Sequence, residues 1–361
     1  MRILCLLPDF KLHPWPWRWT HAVPDLTAGF GADIGGLLSG PASHSVLRPA
    51  GAQAASIHSL WQLTLCVCMG VFAAILVVLI LALARPRRPG GSDLVDPVNL
   101  DKRSQRASRR WVTVASVASG VLLVALLVAD VATGRALSRL PTSDALRIEL
   151  TAQQWWWQAR YLDAAGNPEF TVAGDLHLPV GRPVVIALKS ADVIHTFWVP
   201  SLHGKKDMLP GRSTELALRA DRPGTYRGAC AEFCGLQHAL MAFSVTVQPQ
   251  EGYEAWRAAQ AAPARTPDTV EGQRGRALFE SLDCAGCHTV RGTAAAGTLG
   301  PDLTHVGSRP VLAAGTVPRT REHLAAWIVD PQSLKPGSTM PASRLDPRQV
   351  ADLVAYLEGL R

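Results

Sequence analysis

A disulfide framework is the first thing this chain of 361 residues lacks. It has seven cysteines, an odd number, and none of their spacings resembles the scaffold of a small secreted domain. Internal repeats and long low-complexity tracts are also missing, which excludes a solenoid or a fibrous chain. Charge is sparse, at 18% of residues against 48% hydrophobic, with a formal net charge of +7. Much of that basic excess sits beside apolar runs, so it is no nucleic-acid surface. The first 50 residues lack the apolar core of a signal peptide: Trp15, Trp17 and Trp19 alternate with proline and arginine. Residues 1–55 are read as an N-terminal extension with no assigned role.

One absence is itself a signal. Leu60 to Ala84 is 25 residues without a charge, long enough to cross a bilayer. A second apolar run, Trp111 to Ala132, carries only Asp130, near its far end. Between them lie Arg85, Arg87, Arg88, Lys102, Arg103, Arg106, Arg109 and Arg110, a cluster that stays on the cytoplasmic side. Residues 56–135 therefore read as a transmembrane hairpin, with helices at about 60–84 and 111–132 and both termini outside. A pair of buried helices in a soluble protein is the alternative, and the uniformly apolar first span argues against it.

From 145 to 248 the pattern changes to short alternating runs. Arg147-Ile-Glu-Leu-Thr, Pro183-Val-Val-Ile-Ala-Leu, Thr214-Glu-Leu-Ala-Leu-Arg and Phe243-Ser-Val-Thr-Val predict strands, separated by Gly166-Asn-Pro, Pro210-Gly and Arg222-Pro-Gly. Many short strands in about a hundred residues favour an antiparallel sandwich or barrel. Residues 249–268, rich in alanine, proline and glutamine, read as a linker. Residues 269–361 then read as a small helical domain, with helices at Glu271–Leu282, Arg321–Val329 and Asp346–Leu360. Val350, Leu353, Val354 and Leu357 form the stripe of the last one.

Two motifs carry chemistry. Cys230-Ala-Glu232-Phe-Cys234-Gly-Leu-Gln-His238-Ala-Leu-Met241 puts two thiols, an imidazole, a thioether and a carboxylate in twelve residues. Soft sulfur beside imidazole suits copper, and two thiolates in one loop suggest a bridged metal pair. The loop lies before a strand and reads as a strand-to-strand connection. A helix would also put positions 230, 234, 238 and 241 on one face, although Gly235 opposes it. His195, at the end of an apolar strand, is the candidate second imidazole. A structural zinc site of two cysteines and two histidines is the competing reading, but zinc has no use for the thioether of Met241. Downstream, Cys284-Ala-Gly-Cys287-His288 is the attachment motif for c-type haem. Met340, in Lys335-Pro-Gly-Ser-Thr-Met340-Pro, is the candidate sixth ligand, and a thioether opposite imidazole raises the haem potential. His305 is a rival ligand but reads as a surface residue.

With His195, the pattern Cys-x-Glu-x-Cys-x-x-x-His-x-x-Met resembles subunit II of the heme–copper cytochrome c oxidases. The resemblance implies a dinuclear CuA centre held by His195, Cys230, the main-chain oxygen of Glu232, Cys234, His238 and Met241. It also implies a magnesium ion at the boundary with subunit I, held in part by the Glu232 side chain, and electrons entering at Trp155 of the run Gln154-Trp-Trp-Trp157. The tail resembles class I cytochrome c from about Glu271 to Arg361, with Leu299-Gly-Pro301-Asp-Leu as its haem-packing loop. The whole is similar to caa-type oxidases, in which subunit II is fused to a cytochrome c.

The implied architecture is a membrane-anchored multidomain chain: a two-helix transmembrane hairpin, an all-β cupredoxin sandwich and an all-α class I cytochrome c domain. The implied role is electron input to a respiratory terminal oxidase in a bacterial cell membrane, with both cofactor domains on the outer, periplasmic side. Covalent haem c held by Cys284, Cys287, His288 and Met340 would pass electrons to CuA. Subunit I, where oxygen is reduced with proton translocation, and subunit III are the implied partners. Cytochrome c or a quinol–cytochrome c reductase would be the donor. The family often has a glutamate just before the second membrane helix; here the region reads Gln105-Arg-Ala-Ser-Arg-Arg110-Trp111, with no acid. Rival readings are a nitric oxide reductase subunit with a similar copper centre and a membrane-tethered carrier with no oxidase partner.

Overall fold

The computed structural model describes residues 44–85 and 102–361. Residues 1–43 of the N-terminal extension, Cys5 and most of the basic loop lie outside them. The two apolar runs form long helices, α1 (Ala52–Ala84) and α2 (Lys102–Leu137), which touch each other. Both exceed the spans expected from hydropathy. The apolar windows of both are wholly exposed within this chain, as suits a lipid-facing surface.

The extra turn at the start of α1 is part of the next domain. Ala50 N–H donates to Ser201 O (2.7 Å) and Ala54 N–H to Leu202 O (3.2 Å), while Asp221 N–H donates to Ala50 O (2.8 Å). Arg219 N–H donates to the buried Gln53 Oε1 at 3.1 Å. The segment just before the membrane helix thus fastens onto the sandwich, and the boundary near residue 55 cuts through packed structure.

That sandwich has two five-stranded sheets. One runs β3 (Pro168–Ala173), β2 (Trp156–Leu162), β1 (Leu146–Gln153), β5 (Pro183–Ser190), β8 (Thr214–Arg219). The other runs β4 (Asp175–Pro179), β10 (Ala242–Gln248), β9 (Gly224–Cys230), β6 (His195–Trp198), β7 (Lys206–Met208). The sheets are mixed rather than purely antiparallel: β1 pairs β5, and β10 pairs β4, in parallel. The chain leaves the first sheet through β4 and returns on the far side of β1, so β5 arrives running the same way. Strand alternation places Leu146, Ile148, Leu150 and Ala152 of β1 inside with Ile186, Leu188, Leu216 and Leu218. Each buried leucine or isoleucine contributes about 1.5–3 kcal/mol.

The stretch read as a linker is structured at its start. Residues Gln250–Ala261 form helix α3, with Tyr253 fully buried and Trp256 stacked on His177 at 4.1 Å between ring centres. Arg257 pairs with Glu169. Composition hides this helix, because alanine and glutamine serve helices as readily as linkers. The remaining residues run to the C-terminal domain, where Ala264 N–H donates to Arg291 O at 2.9 Å.

Helices α4 (Val270–Ser281), α5 (Cys284–Cys287), α6 (Arg321–Val329), α7 (Pro331–Leu334) and α8 (Pro347–Gly359) build that domain, with a short hairpin of β11 (Val311–Leu312) and β12 (Val317–Pro318). Thr269 and Thr320 cap α4 and α6, and Asp346 with Gln349 forms a capping box on α8. Helix α4 crosses α8 through the edge-on pair Phe279–Tyr356 and the ion pair Arg274–Asp352 at 2.7 Å.

Candidate metal and haem centres

The copper motif is a loop from the end of β9 to the start of β10, not a helix. Gly235, at φ +111°, breaks any continuous helix, and only the 3₁₀ turn His238–Leu240 is helical. The loop folds the sulfurs and imidazoles together. Cys230 Sγ lies 3.8 Å from Cys234 Sγ and 3.7 Å from His195 Nδ1. Cys234 Sγ lies 3.7 Å from His238 Nδ1 and 3.8 Å from Met241 Sδ. The Glu232 carbonyl oxygen is 3.2 Å from Cys230 Sγ, while its side chain is exposed. Six candidate donors from positions 195 to 241 therefore meet in one pocket, with His195, Cys230, Cys234 and Met241 buried. Two sulfurs in the middle, each with an imidazole beside it, are what a thiolate-bridged pair of soft ions requires. One carbonyl beside Cys230 and one thioether beside Cys234 complete that set. A single tetrahedral zinc would leave both of these unused.

The protein has set the electrostatics of this pocket. The shared sulfur–sulfur hydrogen bond with Cys234, helped by His195, holds the Cys230 thiol well below its usual range. The same bond, with burial, pushes Cys234 up. Burial pushes His195 down, but hydrogen bonds to Cys230 and Asp192 outweigh it and leave its pKa raised. Asp192 Oδ1 sits 2.8 Å from His195 Nε2, fixing the ring so that Nδ1 faces the sulfurs.

Trp155 joins the same loop: its indole N–H donates to Cys234 O at 3.0 Å, beside a second bond from Gln154 Nε2 at 2.8 Å. Its neighbour Trp157 is fully buried against Phe243 and is core packing. Asp192 and Gln154 escape the sequence reading, although Asp192 stands only three residues before His195.

In the C-terminal domain α5 carries Cys284 and Cys287 on one turn, with His288 at its end. His288 Nδ1 donates to Pro301 O at 2.8 Å, which leaves Nε2 as the free donor for an iron. Burial also lowers the His288 pKa, favouring the neutral, ligating form. Gly300 lies flat against the ring; a Cβ there would come within 2.5 Å of Cε1. These residues fit covalent haem: two thiols on one turn, an oriented imidazole and a glycine cradle. Met340 is half-buried on the loop after α7, a separate element from the Cys284–His288 turn. His305 is corrected: it is buried, with Nε2 3.0 Å from Ala262 O, so it is an interdomain contact and no surface residue.

Comparison with known proteins agrees with both halves. The family model for the periplasmic domain of cytochrome c oxidase subunit II matches residues 158–248, and that for cytochrome c matches residues 272–361. Cytochrome c oxidase subunit 2 of Alkalihalophilus pseudofirmus is 34% identical over 324 residues, covering 88% of this chain and 91% of that protein. The Bacillus subtilis subunit 2 is 31% identical over 60% of this chain and 63% of its own length. A solved periplasmic domain of subunit II from Bradyrhizobium japonicum is 28% identical, with a TM-score of 0.31, covering 33% of this chain and 95% of that one. With two apolar helices, a cupredoxin-like sandwich and a helical haem domain in one chain, the protein belongs to the cytochrome c oxidase subunit 2 family, in the form that carries a C-terminal cytochrome c domain.

Proposed function

We propose that this chain is the electron-input subunit of a respiratory terminal oxidase, receiving electrons from cytochrome c or a quinol–cytochrome c reductase and delivering them to subunit I. Oxygen reduction with coupled proton translocation belongs to subunit I, with subunit III alongside; this subunit is not catalytic alone. The observation that carries the reading is the paired sulfurs of Cys230 and Cys234, 3.8 Å apart, each flanked by an imidazole. When bound, a copper pair here and a covalent haem at Cys284, Cys287 and His288 supply one-electron relays with no bond made or broken.

The chain's own residues make that exchange fast. Cys230 and Cys234 act as thiolates, and their burial excludes water, so little solvent rearranges when charge changes. Asp192 holds His195, Pro301 holds His288, and Met241 and the Glu232 carbonyl stay as weak donors. Met340 is the residue that would offer the haem a thioether donor. Trp155, bonded to the Cys234 carbonyl, is where electrons enter the copper loop. The Glu232 carboxylate, exposed in this chain, would help hold a magnesium ion at the boundary with subunit I. Helices α1 and α2 form a membrane hairpin with both termini and both cofactor domains on the outer face of a bacterial cell membrane. The start of α2 offers no acid between Gln105 and Trp111, so a proton path opening there would need its acid from elsewhere.

Metal analysis of the full-length, matured protein tests the reading. Two coppers and one haem per chain are expected; one zinc in place of copper overturns it.

A further inference from the structure

Lys335 is a buried lysine of the C-terminal domain whose ammonium reaches backbone carbonyls of the copper domain. It is 4% exposed. Its ammonium donates to Trp155 O at 2.8 Å, Leu240 O at 3.0 Å and Ala313 O at 3.3 Å. Three donors meet three carbonyls, so the ammonium is fully satisfied without a carboxylate. Two of those carbonyls belong to the copper domain: one is that of Trp155 itself, the other precedes Met241. The third lies at the tip of the β11–β12 hairpin, so one side chain ties together three separate segments.

Its neighbours fasten the same place. Gln237 Nε2 donates to Pro336 O. A Cβ on Gly337 would meet Leu236 Cδ1 at 3.1 Å and Trp155 Cζ3 at 3.7 Å, so this loop lies over the indole. At the hairpin tip Ala313 and Ala314 adopt φ of 52° and 57°, the left-handed region, and Ala314 O accepts from Ala242 N–H at 3.0 Å. Such backbone is kept where surrounding contacts demand it. The docked loop is also the one that carries Met340, five residues beyond Lys335.

We infer that Lys335 is a positioning residue: a three-carbonyl ammonium clasp that holds the Met340 loop against Trp155 and the copper loop, fixing the haem domain in its electron-delivering pose. The consequence for electron transfer rests on the electron-input reading above; the clasp itself does not. With the clasp closed, Gly337 lies beside the Cζ3 edge of the Trp155 indole, which stays half-buried. A soluble donor protein approaching that edge would meet this chain's own loop.

The test uses full-length protein with haem and copper content verified. Lys335→Met keeps the stem and removes the three donors. Amide exchange at Ala242, whose N–H is bonded to the other domain, is the first readout and needs no electron transfer. Slow exchange in the parent, rising at least about tenfold in the variant, is expected, because the tether alone leaves undocking reversible. Lys335→Arg should not restore protection, since a planar guanidinium cannot point three donors at one convergent triad. The second readout is the rate of haem-to-copper electron transfer after a light-triggered reduction, expected to fall about tenfold with haem potential and spectra unchanged. Equal Ala242 exchange in parent and Lys335→Met overturns the clasp. Lost protection with an unchanged transfer rate overturns the positioning role while leaving copper and haem occupancy, and so the proposed function, intact.

Discussion

Asp192 shows how much one side chain outside the ligand set can do. Its carboxylate accepts from the Gln154 and Val193 amides, both at 2.6 Å, while pairing with His195 Nε2. It therefore links the strand end before Trp155 to His195, a candidate copper ligand. Asp192→Asn is expected to keep the fold but weaken copper retention by about 10–100-fold, measured by competition with a chelator. Met340→Ala should lower the haem potential and open a coordination position, seen by redox titration and by binding of an added ligand. An unchanged potential returns Met340 to plain packing. Trp155→Ala should slow electron transfer into the copper loop with full copper content, and an unaltered rate would leave only its hydrogen bond to Cys234. The candidate ligands were legible, because five of the six proposed copper donors fall within twelve residues and the two haem-motif cysteines within four. Lys335 was not: its carbonyl partners lie 180, 95 and 22 residues away, and nothing local marks a lysine that will be buried.

Helix α3 shows the same contrast between composition and spacing. Read as part of a linker, it instead inserts Tyr253 into the sandwich core and lays Trp256 on His177. The tyrosine, tryptophan and arginine at 253, 256 and 257 do share one helix face, a pattern that the surrounding alanines and glutamines obscured. Tyr253→Ala should destabilise the sandwich by about 3 kcal/mol in denaturant unfolding. Its hydroxyl has no hydrogen-bond partner among the described residues, so Tyr253→Phe should be neutral or mildly stabilising. In the C-terminal domain the Arg274 guanidinium holds the Asp352 carboxyl below its usual range. The folded value lies below the unfolded one, near 3.9. The stabilisation is thus present above that pH and is lost as pH falls through the folded value. Asp352→Asn should therefore flatten the acid side of the domain's melting profile between about pH 4 and the folded value, because the variant has no proton to gain there.

Across the whole chain, four sandwich strands, the two long apolar helices and the three longer helices of the C-terminal domain were readable from period and punctuation, because each is set by neighbours a few residues apart. What could not be read was how the pieces join: the parallel returns of β5 and β4, the docking of the Met340 loop, and the fastening of the segment before α1. These depend on contacts far apart in sequence, for which periodicity carries no signal. Strand residues such as Ile148, Leu150, Ile186 and Leu188 make up most of the sandwich core, and Cys230, Cys234 and Met241 of the copper loop pack into its edge. Stripping the copper should leave far-ultraviolet circular dichroism of the sandwich intact and lower its melting temperature, with no loss of cooperativity. A collapse of the spectrum would mean that the metal organises the domain.

The stretch from Ala50 to Ala54 has a practical corollary. Because Ala50, Gln53 and Ala54 hydrogen-bond to Ser201, Leu202, Arg219 and Asp221, the sandwich is welded to the start of helix α1 rather than dangling from a string. A water-soluble fragment truncated at the start of β1 would lose that seam, and grafting residues 44–55 back, as a prefix or a separate peptide, should restore what the truncation took.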